Sequence, residues 1–176
     1  MEKLYALFPD YARDIKLNLQ NVLKQEELTP QQIWGTAVAC AMAARDAQLT
    51  EAIFSEAKQH LSPEALHGAK AAAAIMGMNN VFYRFQHLSG NERFAQIPAR
   101  LRMQAIRSHG TDPIDFELWC LAVSAVNGCG KCIEAHEAVL KQKGITEEVM
   151  LASIRIASVI NAAACVLDTE AAAGLI

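Results

Sequence analysis

Apolar residues recur at helical spacing along most of the chain. Between Asp10 and Lys24 they lie three or four positions apart, at Ile15, Leu19, Val22 and Leu23, which places them on one face of an α-helix. Alanine is abundant and runs of β-branched residues are few, a composition that favours helix over strand. The pattern therefore predicts an all-α fold.

Capping signals mark where these helices begin and end. Thr29, Ser62 and Asp112 are each followed by proline, the usual pairing of an N-cap with the first helical residue. The helix after Asp112 is expected to run from about Ile114 to Val126, where Asn127-Gly128 ends it. The next helix opens at a Cys-x-x-Cys pair and ends at Lys143-Gly144, and a last long helix starts at Thr146.

The two halves of the chain resemble one another. With an offset of 85 residues, Ile33-Trp34 aligns with Leu118-Trp119. This match predicts a single domain over residues 1–176 with a duplicated helical unit, its pseudo-repeats at about 29–88 and 114–168. At that offset the residues aligned with Cys129, Cys132 and His136 are Ala44, Ala47 and Glu51. The first half is therefore expected to be scaffold.

Charge and hydropathy exclude some classes of partner. The 176 residues carry a formal net charge of −3, so there is no basic surplus with which to bind nucleic acid. The longest apolar stretch, Ile156–Leu167, is shorter than the roughly 20 residues of a membrane span. The N-terminal residues lack the apolar core of a signal peptide. We therefore expect no membrane partner and a cytoplasmic location.

The chain contains five cysteines, an odd number that argues against a framework of structural disulfides. Three of them, Cys40, Cys120 and Cys165, lie in helical sequence rich in small apolar residues, and each is expected to be a small buried hydrophobe. Cys129 and Cys132 differ, because they form a Cys-x-x-Cys pair that a histidine follows four residues later.

On a helix, Cys129, Cys132 and His136 share one face. The free N–H groups and dipole of a helix N-terminus stabilise a thiolate, and Lys131 adds positive charge. His136 can take the thiol proton directly or through a water. These arguments leave open which sulfur attacks, because the helix dipole favours Cys129 and proximity to His136 favours Cys132.

Glu117 is expected close to His136 because both lie at a similar distance from the turn between their two helices. If Gly128 marks the turn between two antiparallel helices, Glu117 and His136 lie roughly 16 and 12 Å from it at ~1.5 Å per residue. A carboxylate beside an imidazole sets its tautomer and raises its basicity, which predicts a relay from Glu117 through His136 to a thiol. The alternative is a solvated glutamate that serves the helix dipole.

Other uses of a Cys-x-x-Cys pair fit less well. A structural zinc site needs four ligands, and the other histidines are isolated, at His60, His67, His87 and His109. Haem attachment needs histidine directly after the second cysteine, where this chain has Ile133. A thioredoxin-like fold needs a strand before the pair. We therefore expect no metal and a dithiol redox site on a helical frame.

The arrangement of Glu117 followed by Cys129-x-x-Cys132-x-x-x-His136 resembles the AhpD-like alkylhydroperoxidases, a family related to the carboxymuconolactone decarboxylases. The string Met-Asn-Asn-Val-Phe-Tyr-Arg at 78–84 adds to this resemblance, which covers nearly the whole chain. It implies an all-α, duplicated and commonly trimeric protein. A trimer would cover apolar surface such as the stripe of Trp34, Val38, Cys40 and Met42, or the face of Ile154–Leu167.

The resemblance also implies a role for each site residue. Cys132 corresponds to the peroxidatic cysteine, which becomes a sulfenic acid, and Cys129 to the residue that donates a proton and then closes the Cys129–Cys132 disulfide. His136 and Glu117 correspond to the proton relay. Lys131 stands where some members carry a histidine, so the peroxidase rate or the choice of reductant is expected to differ.

The implied activity is that of an antioxidant peroxidase with no bound cofactor. It reduces an alkyl hydroperoxide to an alcohol and water, and its disulfide is then reduced by a lipoyl group, the dihydrolipoamide of a lipoylated acyltransferase. One alternative is a thiol–disulfide adaptor that chiefly reduces a partner peroxiredoxin. Another is a non-redox decarboxylase or lactonase, whose activity would survive the loss of both cysteines.

Overall fold

All regular secondary structure of the chain is helical in the computed structural model, which describes residues 1–176. The α-helices are α1 (Glu2–Tyr5), α2 (Arg13–Val22), α3 (Pro30–Ala44), α4 (Ala47–Ala57), α5 (Pro63–Leu88), α6 (Arg93–Gln96), α7 (Pro113–Val126), α8 (Gly130–Gln142) and α9 (Glu147–Ala172). Short 3₁₀ turns lie at Asp10–Ala12 and Gln104–Ile106. There is no strand, so the predicted all-α fold is confirmed.

Side chains cap the helices at the predicted positions. Thr29 and Gln32 form a capping box at the start of α3, in which the Gln32 amide donates to Thr29 Oγ1 over 3.2 Å and the Thr29 amide donates to Gln32 Oε1 over 3.0 Å. Ser62 and Asp112 cap α5 and α7 by accepting hydrogen bonds from first-turn amides. Each such cap stabilises the protein by about 1 kcal/mol.

Three consecutive helices in each half have similar lengths. α3, α4 and α5 span 15, 11 and 26 residues, and α7, α8 and α9 span 14, 13 and 26. The two sets occur in the same order, each with a short turn between its first and second helix. The pseudo-repeats at about 29–88 and 114–168 stay a prediction, with which this order of helices is compatible.

The local register between the halves differs from the expected offset of 85. α4 and α8 begin 83 residues apart, as do α3 and α7. The left-handed residues of the two turns, Arg45 with φ 67° and Gly128 with φ 65°, are also 83 apart. The match of Ile33-Trp34 with Leu118-Trp119 was therefore misleading near the cysteines. In the structural register the counterparts of Cys129, Cys132 and His136 are Asp46, Leu49 and Ile53.

The core lies where α3, α5, α7 and α9 pack together. α3 is buried along most of its length, from Ile33 to Ala41. Trp119 of α7 is fully buried, and a Cβ atom at Gly35 of α3 would come within 2.2 Å of its indole ring. A glycine at this position is what allows α3 and α7 to approach so closely. Helix α3 leads into α4 and helix α7 leads into α8, so this contact helps to position the site.

Two expectations about surface and core are wrong. Cys165 is exposed, whereas Cys40 and Cys120 are buried, and burial raises the pKa of both of those thiols. On α9 the core-facing positions are Ala164 and Leu167, which turns Cys165 to the outside. In addition, Trp34, Val38 and Cys40 lie inside the core, so their stripe is no oligomer surface.

Helix α9 is longer and more apolar than the stretch Ile156–Leu167 indicates. By length and composition it could cross a membrane. Core helices of globular proteins have the same property. In this fold α9 contributes Ile156, Ile160 and Leu167 to the core, where all three are fully buried.

Candidate active site

The cysteine pair lies at the turn from α7 into α8. Gly128 occupies the left-handed region that favours glycine, and Cys129 is the N-cap of α8. The Cys129 amide donates to the carbonyl of Ser124 over 3.0 Å, which holds the turn closed. No side chain caps α8. The helix therefore begins with a sulfur where α3, α4, α5 and α7 have a capping oxygen.

The two sulfurs of the pair are joined as a disulfide. The Cα atoms of Cys129 and Cys132 are 5.3 Å apart, since the residues sit on either side of the first turn of α8. Cys129 is completely buried and Cys132 is 6% exposed. Cys132 Sγ lies 4.0 Å from the carbonyl oxygen of Asn79 on α5. Only Cys132 reaches the neighbouring cavity, so it is the more accessible sulfur.

A cavity of about 260 Å³ opens beside Cys132. Helices α5 and α8 form it together with the segment around the second 3₁₀ turn. It is lined by Met76, Asn79, Tyr83, Met103, Ile106, Lys131, Cys132, Ala135 and His136. Most of this wall is apolar, and its polar side chains belong to Asn79, Tyr83, Lys131 and His136. Such a cavity suits a small, largely apolar molecule with one polar end.

His136 and Glu117 form an imidazole–carboxylate couple at the same site. Glu117 comes from α7 and His136 from α8, and Glu117 Oε2 lies 2.6 Å from His136 Nδ1. The Glu117 and His136 side chains are 18% and 13% exposed. Glu117 therefore faces the imidazole and is not a solvated glutamate on an outer helix face. Its carboxylate accepts the Nδ1 proton, which directs Nε2 away from α7.

The other imidazole nitrogen contacts a methionine and not a cysteine. His136 Nε2 lies 3.2 Å from Met76 Sδ on α5. Neither nitrogen of His136 is hydrogen-bonded to Cys129 or Cys132. His136 and Cys132 meet only in that both line the cavity. A proton passing between them therefore needs a molecule in the cavity, either a water or the substrate itself.

Lys131 brings a positive charge to the cavity wall. Its Nζ donates to Gln86 Oε1 over 3.2 Å and lies 5.4 Å from the centre of the Tyr83 ring. It forms no ion pair, so this charge is not neutralised within the site. No group of three or more His, Cys, Asp or Glu side chains is placed to hold a metal ion.

Two asparagines of α5, singled out in the sequence only as part of the string 78–84, differ in their surroundings. Asn80 donates to Ser124 Oγ over 3.0 Å and accepts from Asn127 Nδ2 over 2.9 Å, which ties α5 to the α7–α8 turn. Arg84 donates to the carbonyl of Asn127 and strengthens the same link. The Asn79 side chain makes no hydrogen bond, and its buried Oδ1 has no partner.

The chain is similar to known proteins over nearly its whole length. Residues 92–173 match the family model described as the carboxymuconolactone decarboxylase family. The chain is 61% identical over 171 residues to alkyl hydroperoxide reductase AhpD of Solibacter usitatus, covering 97% of each chain. It is 59% identical over 171 residues to the protein of that name from Acidobacterium capsulatum, covering 97% of this chain and 93% of the relative. It is 58% identical over 171 residues to the protein of that name from Koribacter versatilis, covering 97% of this chain and 88% of the relative. The chain belongs to the AhpD family.

Membership of the AhpD family confirms the resemblance drawn from Glu117, the cysteine pair and His136. The roles of these four residues stay predictions, which the geometry of the site supports. Sequence reasoning missed Met76 and the unpaired state of Asn79, because both depend on how α5 packs against α8. A signal was present only for Asn79, which lies within the string 78–84.

Proposed function

We propose that this AhpD-family protein is a peroxidase that reduces alkyl hydroperoxides through the Cys129–Cys132 pair. The observation that carries the proposal is a disulfide-forming pair of which Cys132 alone opens onto an apolar cavity. His136, backed by Glu117, lies on the wall of that cavity. The relatives' name, alkyl hydroperoxide reductase, agrees with this chemistry.

The cycle begins with both cysteines reduced. Cys132 passes its proton through a water in the cavity to His136 and attacks the distal oxygen of the hydroperoxide as a thiolate. An S–O bond forms while the O–O bond breaks, so Cys132 becomes a sulfenic acid and an alkoxide leaves. Cys129 gives its thiol proton to the alkoxide, which departs as the alcohol. The start of α8 favours both thiolates through its dipole and first-turn amides.

The second step closes the disulfide. The Cys129 thiolate attacks the sulfur of the Cys132 sulfenic acid, and the hydroxide that leaves takes the proton held by His136, which gives water. One hydroperoxide and two thiols have then become one alcohol, one water and one disulfide. The Cα separation of 5.3 Å allows this closure without moving α8. Rapid closure protects Cys132 from further oxidation.

A lipoyl-type dithiol is the proposed reductant. One thiolate of dihydrolipoamide attacks Cys132, the sulfur that reaches the cavity, and Cys129 leaves as a thiolate. The second thiolate then releases lipoamide as a cyclic disulfide, and its two protons end on the cysteine pair. A lipoylated acyltransferase is the proposed protein donor.

The small cavity favours direct peroxidase action over the adaptor function. A space of about 260 Å³ admits an alkyl hydroperoxide, whereas the disulfide of a partner peroxiredoxin would have to reach a sulfur that is 6% exposed. The adaptor function predicts slow turnover with peroxide and a mixed disulfide with a peroxiredoxin trapped by Cys129→Ser. Trapping together with slow turnover would replace the peroxidase proposal.

The deciding experiment measures consumption of tert-butyl hydroperoxide with dihydrolipoamide as the electron donor. Cys132→Ser is expected to reduce the rate to background. Cys165→Ser serves as the matched control, because Cys165 is exposed and unpaired on α9. Equal rates for the native protein and Cys132→Ser would overturn the proposal. Activity that survives loss of both cysteines would point to the decarboxylase or lactonase alternative.

We also propose that the protein is a homotrimer, as the family resemblance implies, and that it acts in the cytoplasm. A row of large apolar side chains on α5 supports self-association, since Val81, Phe85 and Leu88 are 60, 55 and 73% exposed at helical spacing. Sedimentation at micromolar concentration is expected to show three chains. A monomer under those conditions would contradict the trimer.

A further inference from the structure

Asn79 differs from every other polar side chain of the cavity in having no partner. Tyr83 donates to Met103 Sδ, Lys131 donates to Gln86, and His136 is bonded to Glu117. Asn79 is 4% exposed, and its Oδ1 is buried without a hydrogen bond. An unsatisfied buried amide destabilises a protein, so native structures rarely keep one without a use.

We propose that Asn79 binds the hydroperoxide group of the substrate and orients it for attack by Cys132. The inference rests on the proposed peroxidase function and adds to it a residue that recognises the reacting group. It also gives the unpaired amide a partner that is present only while substrate is bound.

The hydrogen-bonding groups of the two partners match. An alkyl hydroperoxide carries one O–H donor on its distal oxygen and lone pairs on both oxygens. A primary amide carries a carbonyl acceptor beside an NH₂ donor. Asn79 Oδ1 can therefore accept the distal O–H while Nδ2 donates to the proximal oxygen. Oδ1 has no hydrogen bond to the protein, so none has to be broken there when the amide turns about χ2 into this position.

The location of Asn79 suits this role. Its carbonyl oxygen lies 4.0 Å from Cys132 Sγ, so its side chain starts next to the atom that attacks. The following residue, Asn80, is held to Ser124 and Asn127, which fixes this turn of α5. A hydroperoxide bound to Asn79 would present its distal oxygen to Cys132 and place its alkyl group among apolar residues such as Ile106.

The two hydrogen bonds act on different atoms of the reaction. The proximal oxygen gains negative charge as the O–O bond breaks, and the Nδ2–H group stabilises that charge until Cys129 supplies a proton. The distal oxygen ends in the Cys132 sulfenic acid, whose O–H group remains bonded to Oδ1. Atoms, electrons and protons balance as in the proposed cycle, since Asn79 forms and breaks no covalent bond.

The test separates the two half-reactions in Asn79→Leu, which keeps the side-chain volume and removes both hydrogen bonds. Oxidation of the reduced protein by tert-butyl hydroperoxide is expected to slow by about 10- to 100-fold. Reduction of the disulfide by dithiothreitol is expected to stay within about two-fold of the native rate. The Tm of the disulfide form is expected not to fall, since the substitution removes an unpaired polar group.

An unchanged oxidation rate would overturn the assignment, and so would an equal loss in both half-reactions, which marks a structural role. If Asn79→Leu does not fold, Asn79→Ser must show the same selective loss. A native protein that tert-butyl hydroperoxide fails to oxidise would refute the peroxidase function itself, a result distinct from either outcome for the variant.

Discussion

The turn between α3 and α4 and the turn between α7 and α8 share a backbone plan but differ in chemistry. Each has one left-handed residue, Arg45 or Gly128, followed by an N-cap residue. In the first turn the N-cap is Asp46, whose carboxylate accepts from the Leu49 amide over 2.6 Å. In the second turn the N-cap is Cys129, and no side-chain oxygen takes that place.

The two turns differ in the chemical group that the start of the following helix faces. The Asp46 carboxylate accepts a hydrogen bond from one first-turn amide of α4, that of Leu49, and stabilises the helix by about 1 kcal/mol. A cysteine in that position gives up this cap, and the helix terminus then faces sulfur, which it favours as a thiolate. A depression of about 640 Å³ also lies beside Asp46, but it contains neither cysteine nor histidine. A concave surface at this turn is therefore not sufficient for the chemistry.

Transferring the first turn's cap to the second should have the largest effect. In Cys129→Asp no disulfide can form, and we expect peroxidase turnover with dihydrolipoamide to fall by about 10³-fold or more. The variant should nevertheless unfold with a free energy about 1 kcal/mol higher than that of Cys129→Ala, because the carboxylate caps α8. Urea denaturation measures that difference. Equal stability of the two variants would show that the turns are not equivalent.

Removing the charge of Glu117 tests the proton relay of Glu117 and His136. The first half lacks this relay, because Trp34 lies at the position that matches Glu117 in the 83-residue register. Glu117→Gln can still contact His136 but no longer supports its positive form, so oxidation by hydroperoxide should slow by about 10- to 100-fold. Stopped-flow oxidation of the reduced protein measures this. The matched control is Glu134→Gln, since Glu134 is exposed on α8. Equal slowing in both variants would argue against the relay.

Removing the N-cap of the turn between α3 and α4 should affect stability alone. Asp46→Ala removes the carboxylate that accepts from the Leu49 amide, and we expect a loss of about 1 kcal/mol in the free energy of unfolding. Peroxidase turnover should stay within about two-fold of the native value, since the cysteine pair is untouched. Denaturant titration and the peroxide assay check the two parts. A large loss of turnover would mean that the halves are coupled through this turn.

The smallest effects are expected at the two left-handed residues. Arg45→Gly removes the conformational strain of a side chain at φ 67° and should raise the free energy of unfolding by up to about 1 kcal/mol. Gly128→Ala adds that strain at φ 65° and should lower it by a similar amount. Thermal unfolding of both variants gives the comparison. Shifts of the same sign would contradict the shared backbone plan.

Features set by neighbours in sequence were predictable, whereas those set by packing were not. Capping by Thr29 and the break at Gly128 depend on a few adjacent residues, and both lie where the pattern places them. The couple of Glu117 and His136 followed from helix rise and the position of one turn. The contact of Met76 with His136 depends instead on how α5 is rotated against α8, which periodicity does not define.

The burial of the unpaired cysteines was likewise not predictable from the sequence pattern. Cys40 and Cys165 lie in similar alanine-rich sequence, yet only Cys40 faces the core. The difference arises because α3 is surrounded by other helices, while α9 keeps one face open. The offset of 85 failed because the two tryptophans do not occupy equivalent positions, since Trp34 is the fifth residue of α3 and Trp119 the seventh of α7.

The close approach of Gly35 to Trp119 couples the residues that the two halves of the chain can accept. Trp119 fills the space that a side chain at position 35 would need, and it lies two residues after Glu117 on α7. A methyl group added at position 35 would push α7 outward and carry the carboxylate with it. Substitutions in the first half of the chain are thus constrained by the second half. A substitution at position 35 should persist only together with a smaller residue at position 119.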